Sequence, residues 1–449
     1  MNTNRYNIYI ISLGCSKNLV DSEVMGGLLS QFGMQLVNRH DLADIVIVNT
    51  CAFINAAKEE ALEEILLLAK EKKEGGRPFR LVVAGCLAQR YGRQLLAEIP
   101  EVDLFIGTGE VANIVRHLKK IDGEKAQRSA IITKPDFLMT SQHPRVLSNT
   151  SISTYLKISD GCSNCCTYCV IPAIRGKARS RKPDDILREA EILAARGIKE
   201  IILTGQDTTA YGRDWKSRPQ LPDLLNDIAA IRGIKWIRLL YAHPTHITPE
   251  MMKAIADNKK ICRYIDLPIQ HIDDDILKAM NRKVTSKKIK EIIAQAREFM
   301  PDVALRTSII VGFPGETQKR FGRLLDFIRE TKFDHLGVFT YSQEEGTKAA
   351  LLSSHISGKE KERRRDIIMN EQAAISNKIN QGLIGDIQEV LIEGKSDRSD
   401  YAYTGRCRRQ APEIDGITYV KGKQVKTGSI VKCKIIAADD YDLFAQTID

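Results

Sequence analysis

No stretch of this 449-residue sequence approaches the roughly 18 consecutive apolar residues that a membrane-spanning helix needs, so an integral membrane class is set aside. The N-terminal apolar run, Ile8 to Leu13, also lacks a basic start and the length of an export signal, and it reads as a buried strand. The expected location is cytoplasmic, with no membrane partner. Without an oxidising compartment the ten cysteines are not expected to form disulfides, which leaves metal binding, catalysis or plain apolar packing. Basic excess is missing from both ends: residues 1–125 and 386–449 each net −1, whereas 126–385 carries 42 basic against 30 acidic residues, a net +12. Any polyanion is therefore expected to meet the centre of the chain. The length predicts two or three domains.

In the first quarter, "NIYIISLGC", "ADIVIVNTC" and "RLVVAGC" alternate with helical stretches such as "SEVMGGLLSQFG" and "AAKEEALEEILLLAKEKKE". Continuous apolar runs separated by amphipathic helices predict a parallel sheet covered by helices. Each of the three runs ends in a cysteine, and Cys15, Cys51 and Cys86 are spaced by 36 and 35 residues, about one strand-helix unit. The carboxyl ends of strands form the ligand-binding edge of an open α/β sheet, so three thiols are expected to converge there. Three soft ligands suit zinc or an iron-sulfur cluster and leave one coordination position open.

From Thr154 a second series follows: "TYLKIS", "IKEIILTG", "IKWIRLLYA", "CRYIDLPIQ", "VALRTSIIVGF" and "FDHLGVFTYS", with helical stretches between them. Six strands alternating with helices predict an incomplete (β/α)6 barrel with its reactive groups at the carboxyl ends. The first strand runs into "KISDGCSNCCTYCVIPAIRGKARSR", where four cysteines fall within eight positions. Cys162, Cys166 and Cys169 have the spacing C-x3-C-x2-C, which lacks the second ligand pair of a structural zinc site. This motif resembles that of the radical S-adenosylmethionine (SAM) enzymes. The resemblance implies a 4Fe-4S cluster on those three thiolates, with SAM on the open iron, Tyr168 among the cofactor contacts and Cys165 a bystander. It also implies that Gly205, Gln206 and Asp207 in "LTGQDTTAYG" contact the methionine part of SAM, and that Gly312 in "IIVGFPGET" belongs to the adenine-side glycine motif.

Taken whole, the chain resembles the methylthiotransferases. The resemblance implies an N-terminal domain (1–125) whose Cys15, Cys51 and Cys86 hold a second 4Fe-4S cluster, a linker (126–150), the radical SAM barrel (151–370), a linker helix (371–385) and a small TRAM-like β-barrel (386–449). The segments "SLGCSKNLVDSE", "QDTTAYG", "APEIDGITYV" and "YDLFAQ" are similar to the RimO-type branch. That branch adds a methylthio group to the β-carbon of an aspartate in ribosomal protein S12, which implies two SAM per turnover, an electron donor and a sulfur source that the sequence does not identify, and docking on S12, with the small ribosomal subunit as a setting. A TRAM domain that grips tRNA should be basic, and the net −1 of 386–449 turns the reading away from a tRNA adenosine methylthiotransferase of the MiaB type. Arg406, Arg408 and Arg409 nevertheless form a patch that RNA could touch. A third reading, a non-catalytic iron-sulfur protein on the ribosome, is opposed by the two glycine motifs in barrel order. No residue beyond the cluster ligands is assigned a catalytic role. His243 and His246 in "YAHPTH" are expected in a loop and His271 without a partner. Cys262, Cys407 and Cys433 are expected to be structural, and the central positive charge, "NRKVTSKKIK" (281–290) included, reads either as a surface that docks on ribosomal RNA or as solvated helix faces.

Overall fold

The computed structural model describes residues 6–75, 78–121, 127–148, 152–218, 220–422 and 425–448. The domain bounds expected at 125, 126, 150, 151 and 449 lie outside them.

The N-terminal domain is a six-stranded, all-parallel sheet in the order Gln35–Leu36, Asn7–Ser12, Ile45–Thr50, Arg80–Gly85, Leu104–Ile106 and Ser129–Ile131. The central strand Ile45–Thr50 is buried along its whole length, which explains the apolar run Ile45 to Val48, and its polar end is satisfied by bonds from Asn49 to the Asn18 carbonyl and from Thr50 to the Ala84 carbonyl. Three of the six strands are only two or three residues long, too short to carry a pattern in the sequence. Ser129–Ile131 falls inside the stretch expected to be a linker, so the linker assignment is corrected there. The strand's pairing with Leu104–Ile106 extends the sheet. Helices Ser16–Gln31, Asn55–Lys73 and Cys86–Glu98 cover the two faces, each over its own apolar core.

The second domain has the six expected parallel strands: Ser153–Lys157, Glu200–Thr204, Trp236–Leu239, Tyr264–Asp266, Ala304–Val311 and His335–Thr340. They pair as two three-stranded sheets joined by a bridge from Ile237 to Ile261. The first and last strands are outer edges, so the barrel is incomplete. In Ala304–Val311 the alternating burial shows the two sides of the wall. Leu305, Thr307 and Ile309 are buried, while Arg306, Ser308 and Ile310 are only half-buried.

The expected linker helix is the end of a longer one, Gly358–Gln381, whose Gln372 and Ser376 bond to the Phe333 and Asp334 carbonyls beneath the last strand. It leads into a closed five-stranded barrel, Ile387–Lys395, Tyr403–Cys407, Thr418–Lys421, Ile430–Ala438 and Leu443–Thr447. Cys407 and Cys433 are buried in its core, and Cys262 is buried beside the larger barrel.

The small barrel sends its 406–415 loop under the larger one, at the amino ends of the strands. Ala411 shares a core with Tyr155, Ile202, Trp236 and Tyr264. Around it Tyr264 Oη donates to Asp415 at 2.7 Å, and Arg306 lies 3.5 Å from the same carboxylate. The three arginines that RNA could have touched are engaged in this joint. Arg406, 1% exposed, pairs with Glu200 and Glu393 at 2.6 Å each. Arg408 bonds to Glu389 and the Lys259 carbonyl, and Arg409 to Asp334 and the Asp302 carbonyl.

Candidate active site between two cysteine trios

All ten cysteines are free thiols. In the first trio Cys15 caps helix Ser16–Gln31, Cys51 directly follows strand Ile45–Thr50, and Cys86 opens helix Cys86–Glu98. Each is therefore at a strand's carboxyl end. Gly14 makes their convergence possible: its φ is +87°, and a Cβ there would stand 2.4 Å from Cys51 Cβ and 3.1 Å from Cys51 Sγ. The three thiols act electrostatically on one another. Burial raises the thiols of Cys51 and Cys86, the latter to about 12. Cys15 has the opposite outcome, since the charges of Lys17 and Arg175 overcome burial and lower it.

The second trio lies in the loop after strand Ser153–Lys157. Backbone bonds fix that loop: Cys162 N–H to the Gly176 carbonyl at 3.1 Å, Thr167 N–H to the Met280 carbonyl at 3.1 Å, and Cys169 N–H to the Cys166 carbonyl at 3.2 Å. Burial raises Cys162 to about 11 and Cys169 to about 12, and both also feel Cys166. Cys165 is exposed, with φ +53°. Arg282 lies 3.8 Å from Cys166 Sγ and bonds to the Pro268 carbonyl. It is buried, so the 281–290 stretch is not wholly solvated, although Lys283, Lys287, Lys288 and Lys290 are exposed. The chemistry of two three-thiol sets, buried or half-buried and each beside cationic side chains, fits two clusters with negatively charged thiolate ligands.

The same helix that follows Cys15 docks the two domains. Ser16 Oγ is 3.2 Å from Thr204 Oγ1, and Lys17 Nζ lies 3.4 Å over the Tyr241 ring. Asp21 takes Lys157 at 2.5 Å and Arg175 at 2.8 Å, and both cations reach Asp160 as well. Arg175 comes from the turn after the second trio and donates to Asn18 Oδ1, which in turn lies 3.7 Å from Cys86 Sγ. On the opposite side Glu344, buried, accepts from Lys58, Arg90 and Ser342. Lys157, Thr204, Tyr241 and Ser342 all lie at or beyond the carboxyl ends of barrel strands. The two trios thus belong to facing strand-end edges.

Of the other residues expected to contact SAM, Asp207 is the most heavily bonded. It accepts from His246 Nδ1 and Asn164 Nδ2 at 2.7 Å each and from Thr209 Oγ1 at 2.7 Å. Burial works to raise its carboxyl, but His246 chiefly holds it at about 2. Burial also lowers His243 to about 3, helped by Arg282. The "YAHPTH" loop therefore builds a polar cluster around Asp207, a contact that the sequence did not disclose. Gln206 Nε2 donates to Asp160 at 3.0 Å, and its buried Oε1 has no protein partner. Tyr168 is half-buried within reach of Cys166 and Arg282. Gly312, at φ +73°, gives its N–H to Glu316 and lies where a Cβ would meet Lys361 Cγ at 2.3 Å. His271 is not partnerless: its Nδ1 accepts the Asp273 N–H at 2.9 Å, and Nε2 lies 3.9 Å from Glu316.

Residues 156–328 match the radical SAM superfamily, 7–107 the uncharacterized protein family UPF0004 and 384–448 the TRAM domain. The chain is 55% identical over 445 residues to the ribosomal protein uS12 methylthiotransferase RimO of Syntrophus aciditrophicus, covering 98% of each. It is 46% identical to the same-named protein of Geobacter sulfurreducens, covering 100% of both. Among solved structures, the radical S-adenosylmethionine methyltransferase TsrM from Kitasatospora setae, with cobalamin and a [4Fe-4S] cluster bound, is similar in fold. Its TM-score is 0.56 at 14% identity, over 86% of this chain and 80% of that one.

Proposed function

The chain belongs to the RimO family of ribosomal protein uS12 methylthiotransferases, and on that premise we infer that its two cysteine trios are the two cluster sites and that the space between them receives the target residue. The protein is a radical SAM enzyme that uses two 4Fe-4S clusters and SAM to add a methylthio group to the β-carbon of an aspartate in uS12. When bound, these groups supply reductive cleavage of SAM to a hydrogen-abstracting radical and a sulfur that accepts a methyl group.

Cys162, Cys166 and Cys169 hold the SAM-side cluster, and Cys15, Cys51 and Cys86 the second. The observation that carries this assignment is the docking of one strand-end edge onto the other through Ser16, Lys17, Asp21 and Arg175. Arg282 on one side and Lys17 and Arg175 on the other offset thiolate charge. The unpaired Gln206 Oε1 and His243 Nε2, with Asp207 and Tyr168, support a SAM seat beside the second trio. Gly205 joins that seat because its Cα lies against Ser159, where a Cβ would come 2.5 Å from the hydroxyl. Gly312 acts by shaping the turn.

The net +12 of residues 126–385 supports an encounter with uS12 within the small ribosomal subunit. Among the described residues no helix is long and apolar enough to cross a membrane, and the enzyme is assigned to the cytoplasm with its substrate. The arginines that would have favoured tRNA are engaged within the chain.

Mass spectrometry of uS12 and of total tRNA, from cells with and without the gene, tests the reading. The expected result is one methylthio group on uS12 that vanishes in the deletion, with tRNA unchanged. Loss of a methylthio nucleoside from tRNA with uS12 unaltered would overturn it.

A further inference from the structure

We propose that Lys17, with Tyr241 beneath it, is the seat for the side-chain carboxylate of the target aspartate, an assignment that rests on the uS12 reading above. Lys17 is only 7% exposed, and no carboxylate among the described residues pairs with it. The neighbouring buried cations differ sharply in this respect. Lys157 and Arg175 share Asp21 and Asp160, and Arg145 takes Glu23 and Glu189. An ammonium buried beside the Cys15 thiol and the Tyr241 ring, with no carboxylate of its own, keeps donor capacity that an entering anion can take up.

The position suits the role. Lys17 is two residues after Cys15, on the wall formed by the first trio. Tyr241 is at the carboxyl end of strand Trp236–Leu239, two residues before His243, on the opposite wall. Its backbone is left-handed, φ +61°, and is held there by its N–H to Asp266 at 2.9 Å and by Thr208 N–H to its carbonyl at 3.0 Å. Tyr241, Gln206 and Gln270 are half-buried, and Gly14 and Phe339 are exposed, so solvent reaches this side of both sheets. The chemistry is equally specific. The reacting β-carbon is one bond from the carboxyl carbon, so a cation that grips the carboxylate fixes the reacting atom almost as tightly. Asparagine, equal in shape, offers no charge to the ammonium.

The test compares two uS12 peptides centred on the target residue, one with aspartate and one with asparagine there, binding to the cluster-loaded enzyme by fluorescence anisotropy. The wild type is expected to prefer the aspartate peptide by about thirty-fold. Lys17→Met should reduce that preference to near one, and Lys17→Arg should restore part of it. Unchanged discrimination in Lys17→Met, accompanied by loss of iron, would assign Lys17 to the Cys15 trio alone and overturn the proposal. So would a wild type that binds both peptides equally, a result that does not depend on any variant folding. If neither peptide binds, the uS12 reading falls along with the assignment.

Discussion

At the scale of single residues, the two trios differ in what removing one thiol should do. Cys166→Ala is expected to abolish 5′-deoxyadenosine formation, while Cys51→Ala spares that cleavage and stops methylthio transfer. Liquid chromatography of the nucleoside, run alongside mass spectrometry of uS12, separates the two outcomes. Gly14 makes a finer version of the same point. Its left-handed backbone and the 2.4 Å clash that a Cβ would make with Cys51 leave no room for alanine. Gly14→Ala should therefore leave the purified protein with about half its iron while deoxyadenosine formation persists. Full iron content would show that the first trio tolerates a shifted Cys51. The two cysteine trios were singled out in the sequence, the first by its strand-helix spacing and the second by the resemblance that its C-x3-C-x2-C motif carries. Arg282 and Arg175 were not, because Arg282 meets Cys166 across 116 residues and Arg175 meets Asn18 across 157, and only the folded barrel brings such partners together.

Among elements, strands with long buried cores announced themselves as unbroken apolar runs, and the six barrel strands followed from alternation with helices. The short strands Gln35–Leu36, Leu104–Ile106 and Ser129–Ile131 were hidden by their brevity. The role of the 406–415 loop was not legible for a physical reason: three arginines look alike in a sequence whether they face RNA or Glu200, the Lys259 carbonyl and Asp334. This loop gives the joint its pH dependence. Burial works to raise the Glu200 carboxyl, but Arg406 and Arg238 hold it at about 2. A carboxylate depressed in the folded state stabilises fully above its ordinary pKa, about 4.3, and loses that contribution as pH falls towards about 2. Glu200→Gln should cost about 3–5 kcal/mol at neutral pH, since the buried Arg238 loses its carboxylate and Arg406 keeps only Glu393. Thermal melts of wild type and variant should converge as the pH is lowered below about 4. A constant gap would mean that Glu200 is not the titrating group.

For the whole molecule, the consequence is that the small barrel is a floor rather than an appendage. Ending the chain after Gln381 strips Glu200 of Arg406, removes Asp415 from Arg306 and Tyr264, and uncovers Tyr155 and Trp236. The truncated chain is expected to melt several degrees lower and to aggregate. An unchanged melting temperature would show that the joint adds nothing. Sequence patterns located this domain and its closed β fold but were silent on where it sits, because docking depends on side chains from six strands meeting one loop. That loop also limits how the protein can be inherited. The small barrel cannot travel between genes as a self-contained cassette. A recombinant that acquires a foreign version without an arginine in the place of Arg406 leaves the buried Glu200 to Arg238 alone, unless the amino ends of the recipient's barrel strands change with it. Exchange in this lineage is thus confined to blocks that carry both sides of the seam.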